Sequence, residues 1–191
     1  MKAGVIVLGV LLVVVVLAGG QLVGVRNELV TQRNAVESAF AQVDVVLQRR
    51  ADLVPNLVET VKGFAAQEKE VIASVSNARA ALGGARNAQE KITANGQLDT
   101  ALSRLLVVVE SYPQLKSDVN FLRLQDELAG SENRIAVERR KYNESVQKYN
   151  TSIELFPNNI AASIFGFQRN DAYFKTDPAS RQAPKVDFNP K

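Results

Sequence analysis

The chain contains no cysteine, no histidine and no tryptophan, and its one methionine is Met1. Each absence removes a class of chemistry. Without cysteine there is no disulfide, no thiol nucleophile and no lipid-bearing N-terminal cysteine. Without histidine as well, zinc fingers, Ser-His-Asp triads and His-ligated iron or copper are excluded. Carboxylates alone can still hold Ca²⁺ or Mg²⁺, but neither an Asp-rich calcium loop nor a Gly-x-x-x-x-Gly-Lys phosphate cradle occurs. No catalytic residue, cofactor site or metal site is therefore expected. The net charge of +3 and pI near 9.2 raise the question of a polyanionic partner. The charges alternate in sign rather than forming a basic block, as on solvated helix faces, so no nucleic-acid partner is expected. A basic patch beside an anionic bilayer remains open.

What the chain does have is one long apolar run. Ala3 to Val25, AGVIVLGVLLVVVVLAGGQLVGV, carries no charge and a single polar side chain, Gln21. About 20 apolar residues at ~1.5 Å each cross a hydrocarbon core of ~30 Å, whereas a secretory signal has an apolar region of only about 7–15 residues. Residues 1–25 thus read as a transmembrane anchor, with Ala18-Gly19-Gly20 leaving a cleavage site as the alternative. Valine is a poor helix former in water, but in lipid the backbone must satisfy its own hydrogen bonds, and helix is what a single span can adopt. Lys2 lies before the span and Arg26 and Arg33 after it. This weak asymmetry leans towards a C-terminal part in the cytoplasm, the opposite side remaining open.

Beyond the span, apolar residues recur at helical spacing. Val36, Phe40, Val43 and Leu47 form one seam, and Leu57, Val61, Phe64, Val71, Val75, Ala78 and Leu82 a second, interrupted by Glu68. A polar, Gly-containing stretch from Gly83 to Gln97 separates these from Leu98, Leu102, Leu105, Val109 and Tyr112, which end at Pro113. The longest series runs from Phe121 through Leu124, Leu128, Ile135, Tyr142, Tyr149 and Ile153 to Phe156, before Pro157. No period-two pattern competes. The expected fold is all-α: an N-terminal transmembrane helix followed by an antiparallel bundle of long helices with coiled-coil-like seams over 26–156. A short apolar segment at 157–174 follows, with a helix expected at Ile160–Phe167 that either folds back on the bundle or docks elsewhere. The remainder, 175–191, is polar and Pro-rich, a composition of disordered tails.

One stretch resists simple periodicity: RRADLVPNLVETVKG, Arg49 to Gly63. Proline inside a helix removes a hydrogen bond and clashes with the carbonyl four residues back, at a cost of ~3 kcal/mol, but in a first turn its missing N–H had no partner anyway. Arg49–Arg50 closing one helix and Asp52 capping the next would make the stretch a corner. The alternative is a kinked continuous helix from Leu22 to Leu82, about 90 Å long at ~1.5 Å per residue.

The same stretch carries a resemblance. VDVVLQRRADLVPNLVETVKGF (Val43–Phe64), ESYPQLKSDVNFLRLQDELAGSENRIAVERRKYNESVQKYN (Glu110–Asn150) and IELFPNNIAASIFGF (Ile153–Phe167) are similar, nearly residue for residue, to signatures of the LemA family of bacterial membrane proteins. With the preceding anchor they cover most of the chain. The resemblance implies an anchored antiparallel bundle, a short outside N-terminus and a cytoplasmic domain, in a family without an established enzymatic activity. Two positions depart from it: Phe40 stands where relatives often have Trp, and Gln67 where they have His.

Charged and aromatic candidates follow from the helical placement. Arg49, Arg50 and Asp52, facing Glu132, Arg139 and Arg140 across the bundle, suit an ion-pair network that fixes helix register; a catalytic carboxylate is the competing role, but no nucleophile accompanies it. Tyr142 and Tyr149, seven apart, each precede an asparagine; they sit at a core edge or in a partner surface, as do Phe165 and Phe167. Asn143 and Asn150 suit register setting, and Glu68 and Ser131 suit contacts between copies. The expected partners are the lipid bilayer, further copies in a homo-oligomer and another envelope protein. The expected function is a non-enzymatic membrane scaffold; the alternative is a regulatory or adaptor subunit of a membrane enzyme such as a protease.

Overall fold

The computed structural model describes residues 2–175. These form six helices and, among the described residues, no strand: α1 (Lys2–Phe64), α2 (Lys69–Gly84), α3 (Ala88–Val109), α4 (Pro113–Lys116), α5 (Val119–Glu154) and α6 (Asn158–Phe165). The all-α antiparallel bundle with a long apolar N-terminal helix is the architecture the apolar spacing implies. The expected disordered tail lies outside the described residues except for Lys175.

The corner at Pro55 is not there. α1 runs 63 residues without interruption, about 95 Å at ~1.5 Å per residue, and Pro55 lies inside it. The physical reason sits four residues back. Pro55 has no N–H to give the Ala51 carbonyl, and the Nε of Arg79, on α2, donates to that carbonyl instead at 3.1 Å. Ala51 is buried, so the orphaned acceptor would otherwise be costly, by about 1–3 kcal/mol. Asp52 is correspondingly no N-cap; it is exposed and takes a hydrogen bond from the Gln48 amide one turn earlier.

The continuous helix does not reach Leu82 either. It ends at Phe64, and a turn closed by Ala65 N to Val61 O and Glu68 N to Ala65 O leads into α2. Glu68 interrupts the apolar series because it belongs to this turn, where its carboxylate accepts the Tyr112 hydroxyl at 2.7 Å. The polar stretch from Gly83 to Gln97 is mostly helix, contrary to its composition. Asn87 caps α3 through the Glu90 N–H, and Glu90 returns bonds to the Asn87 amide and the Arg86 N–H. That reciprocal capping box starts the helix despite Gly96 and a polar surface.

Side-chain contacts fix the directions of the helices. Arg79 meets Ala51 and Lys91 meets Asp44 at 2.7 Å, so α2 returns along α1 and the α2–α3 hairpin turns back beside Asp44. α3 then runs outward again to Tyr112. α5 returns antiparallel along α1, with Glu132 beside Arg50 and Tyr142 against Phe40. One core joins them, built on Leu29, Val43, Leu47, Val54, Leu57 and Val61 of α1 and Ile135, Tyr142, Val146 and Tyr149 of α5.

The domain therefore has two levels. In the outer level, from Asp44 to Phe64, α1 and α5 are accompanied by α2 and α3. In the inner level, next to the apolar run, only α1 and α5 remain, and the C-terminal segment covers them. α5 ends at Glu154, so Phe156 does not extend its seam and is 79% exposed. α6 begins and ends two residues earlier than the expected Ile160–Phe167 and stops at Gly166, whose φ of 71° is the left-handed conformation that glycine adopts freely. It packs on both α1 and α5, and the chain then runs extended along α5 to Phe174.

Candidate functional site

Four charges meet where the two levels join. Arg50 of α1 is 7% exposed. Its guanidinium pairs with Asp99 of α3 and, at 2.9 Å, with Glu132 of α5. Arg139, two turns along α5, reaches the second Asp99 oxygen at 3.4 Å and Glu132 at 3.9 Å. Two cations thus alternate with two anions, and the set is neutral as a whole. Asn95, itself buried, donates to Asp99 at 2.9 Å and orients it.

Of the ion-pair candidates, the structure brings Arg50, Glu132 and Arg139 together. Arg49 and Asp52 point to solvent from α1, and Arg140 pairs, among the described residues, only with Glu144 one turn on, at 3.9 Å between exposed side chains. Asp99 and Asn95, which complete the cluster, were not singled out from sequence. Their signal was faint: an acid directly after seam residue Leu98, on a helix whose partner faces periodicity does not specify.

The cluster does more than set register. No Cα of α3 lies within 8 Å of a Cα of α5, so these helices do not pack on each other. Between them lies a cavity of about 230 Å³, floored by Arg50 and Leu57 and walled by Leu102 and Leu106 on one side and Phe121 and Leu128 on the other. The Arg50–Asp99 and Arg50–Glu132 pairs bridge that gap at one end. The arrangement can hold helices together across an opening; it offers no nucleophile. Among the described residues no three carboxylates converge on one point that could hold a metal ion.

The second constellation is the repeat Tyr142-Asn143, Tyr149-Asn150. Asn143 does not set helix register. Its amide donates to the Phe174 carbonyl at 2.8 Å and accepts the Phe174 N–H at 3.0 Å. Asn150 does the same to Asn170, at 2.7 and 2.9 Å. Each asparagine thus mimics a neighbouring strand and clasps one residue of the extended C-terminal segment. The Tyr149 hydroxyl adds a bond to the Gln168 carbonyl at 2.9 Å.

This strap decides the fate of the aromatic candidates. Tyr142 is fully buried, with Phe40 at 5.5 Å and Phe174 edge-on at 5.7 Å between ring centroids. Tyr149 is buried too. Neither is available to a partner, a correction whose cause is the strap lying over both. Burial raises the pKa of each phenol above 10.0. Tyr112 is also raised, first by its hydrogen bond to Glu68. Phe167 packs on the core beneath Arg33, whereas Phe165 stays 42% exposed beside Arg26. Phe174 also lies under Arg139 at 5.2 Å, so the strap ends on the charge cluster. Ser131, proposed for contacts between copies, is buried within the monomer.

Comparison with known proteins gives a consistent family assignment. The LemA family profile matches residues 39–188. The chain is 29% identical over 179 residues to magnetosome protein MamQ 2 of Paramagnetospirillum magneticum, covering 80% of this chain and 65% of that protein. It is 28% identical over 179 residues to magnetosome protein MamQ of Magnetospirillum gryphiswaldense, with the same coverages of 80% and 65%. It is also 24% identical over 141 residues to protein LemA of Metamycoplasma hominis, covering 73% and 64%. The chain thus spans about 65% of the length of the magnetosome relatives it matches.

Proposed function

The chain belongs to the LemA family, and from that premise we propose a non-enzymatic, single-pass membrane protein whose helical bundle self-associates as a membrane-bound scaffold. It sits in the bacterial inner membrane with the bundle in the cytoplasm. The observation that carries this reading is the continuity of α1. The apolar run, with a mean hydropathy of 2.8 in its most apolar window, passes into the bundle without a linker, so the bundle is held upright at a fixed place. At the far end, Leu106, Val107, Val119 and Leu122 are exposed, too distant from the bilayer for lipid to cover them, and lateral contact between neighbouring copies would. The relatives from Paramagnetospirillum and Magnetospirillum are, by name, magnetosome proteins, components of a larger assembly, which accords with a scaffold role.

The test is the mass of the full-length protein in lipid discs by native mass spectrometry. A defined oligomer supports the scaffold, and a strictly monomeric chain overturns it. The second reading, an adaptor for a membrane enzyme such as a protease, is favoured by the open cavity between α3 and α5; a monomer that retains a specific envelope protein on purification would point there. A Ser76→Cys variant labelled with an impermeant maleimide in intact cells reads the side of the membrane, since Ser76 is exposed and the chain has no other cysteine.

A further inference from the structure

The segment around α6 exposes far more apolar surface than a helix end in water sustains. Leu155 is 57% exposed, Phe156 79%, Ile160 49% and Ile164 62%. Ala161 and Ala162 of the same helix are buried against the bundle, so α6 shows its small residues to the protein and its large ones outward. This is the reverse of the usual arrangement for a helix capping a core.

Position along α1 identifies what covers that face. Phe167 lies at Arg33 and Phe165 at Arg26, the ring centroids 5.8 and 5.7 Å from the guanidinium carbons. The chain from Phe167 back to Phe165 therefore descends α1 towards the apolar run, and Arg26 is the first charge after it. A span of about 20 residues fills the hydrocarbon core, and roughly 5–7 Å of headgroup region flanks it on each side. At ~1.5 Å per residue, α1 crosses that region over the few residues around Arg26. We infer that α6, with Leu155 and Phe156, lies in the membrane interface, its apolar face resting on the acyl chains of the leaflet that α1 leaves.

The chemistry agrees at each residue. Phe156, Ile160 and Ile164 supply the apolar side of an interfacial helix, and Asn158, Asn159 and Ser163 belong among headgroups. Arg26, which forms no ion pair among the described residues, stands at the height of the lipid phosphates, where cations are favoured. The chain thereby contacts the bilayer twice: once by crossing it and once, some 130 residues later, by lying on it. This second contact rests on the span in α1 and is independent of self-association.

The absence of tryptophan makes the test direct. Phe156→Trp and Ile164→Trp, each placed on an exposed side chain, are reconstituted as full chains in phosphatidylcholine vesicles with and without acyl-chain bromination. Val14→Trp serves as the reference within the span, and Ser76→Trp, at an exposed polar position of α2, as the reference in water. The expected result is blue-shifted emission for Phe156→Trp and Ile164→Trp, with more than half of it lost in brominated lipid, while Ser76→Trp is unaffected. Emission at either α6 position that matches Ser76→Trp overturns the inference. So does emission that is blue-shifted but insensitive to bromine, which assigns the face to a second protein chain. If Val14→Trp itself escaped quenching, the span would fail and the interfacial contact with it. Far-UV circular dichroism of each variant confirms that the helices are retained.

Discussion

The two levels of the domain solve the same problem differently. Both must cover the seam between α1 and α5, which an antiparallel pair of helices leaves exposed on two sides. The outer level does it with more helix, adding the α2–α3 hairpin and fastening it through the Arg50, Asp99, Glu132 and Arg139 cluster. The inner level does it with an extended strap clasped by two asparagines. Helices satisfy their own backbone and can be added wherever apolar side chains fit. An extended segment cannot, and its polar backbone must be bonded by the surface that receives it. Asn143 and Asn150 are that surface. The contrast teaches that a strap needs side-chain amides at its own repeat, whereas a helical hairpin needs only shape and charge.

The most damaging change to this scheme should be Tyr142→Ala, which empties the place where α1, α5 and the strap converge. A loss of about 3–5 kcal/mol is expected from the removal of a fully buried ring, read by denaturant unfolding. Next comes Arg50→Met in the outer level. The arginine is buried but its carboxylate partners are 37% and 43% exposed, so solvent moderates the strong penalty for breaking a buried pair. About 1–3 kcal/mol is expected, with amide exchange accelerating in α2 and α3 while the strap stays protected. If the strap loosened equally, the two levels would be one cooperative unit.

Asn143→Ala and Asn150→Ala should have the converse signature. Asn143→Ala removes two hydrogen bonds and Asn150→Ala three, the third being the one its amide donates to the Tyr173 hydroxyl; each change should cost about 1–3 kcal/mol, and the exchange of amides from Gln168 to Phe174 should rise while the α2–α3 hairpin is unchanged. Arg79→Met comes next, at about 1 kcal/mol, and Arg79→Met combined with Pro55→Ala should recover part of that loss, because the alanine N–H can then serve the Ala51 carbonyl.

The smallest effect at neutral pH is Tyr142→Phe, which deletes a buried hydroxyl that lacks a hydrogen-bond partner among the described residues. Its consequence appears in alkali. Burial raises the Tyr142 pKa above its unfolded value of 10.0, so the folded chain keeps a proton that the unfolded chain releases. That contribution is complete below pH 10 and is lost as pH rises through the folded value. Tyr142→Phe should therefore flatten the fall in stability above pH 10, measured by urea midpoints across that range.

The long apolar N-terminal helix, the all-α class and the α1–α5 seam were legible because they depend on the composition and periodicity of single helices. Val43 and Leu47 announce their burial by spacing alone, whereas the spacing of Tyr142 and Tyr149 fits a core edge and a partner surface equally. What was not legible depended on partners. Pro55 reads as a break until Arg79, 24 positions later, supplies the missing donor. Asp99 reads as surface until α3 is laid beside Arg50. The Tyr-Asn repeat was visible, but its purpose was not, since an asparagine that clasps a distant backbone has the same local sequence as one that pairs with a neighbouring helix. Gly83 to Gln97 was misjudged by composition, because one capping box outweighs several poor helix formers.

On the proposed membrane placement, the continuity of α1 has a mechanical consequence. Beyond Arg26 the helix extends to Phe64, about 58 Å at ~1.5 Å per residue, and no loop in it can absorb a rotation. Transmembrane helices tilt to match the thickness of their bilayer, commonly by about 20°. A rigid lever of this length turns such a tilt into a lateral swing of its tip of about 20 Å, so thinning or thickening of the membrane at one end is displayed as displacement at the other.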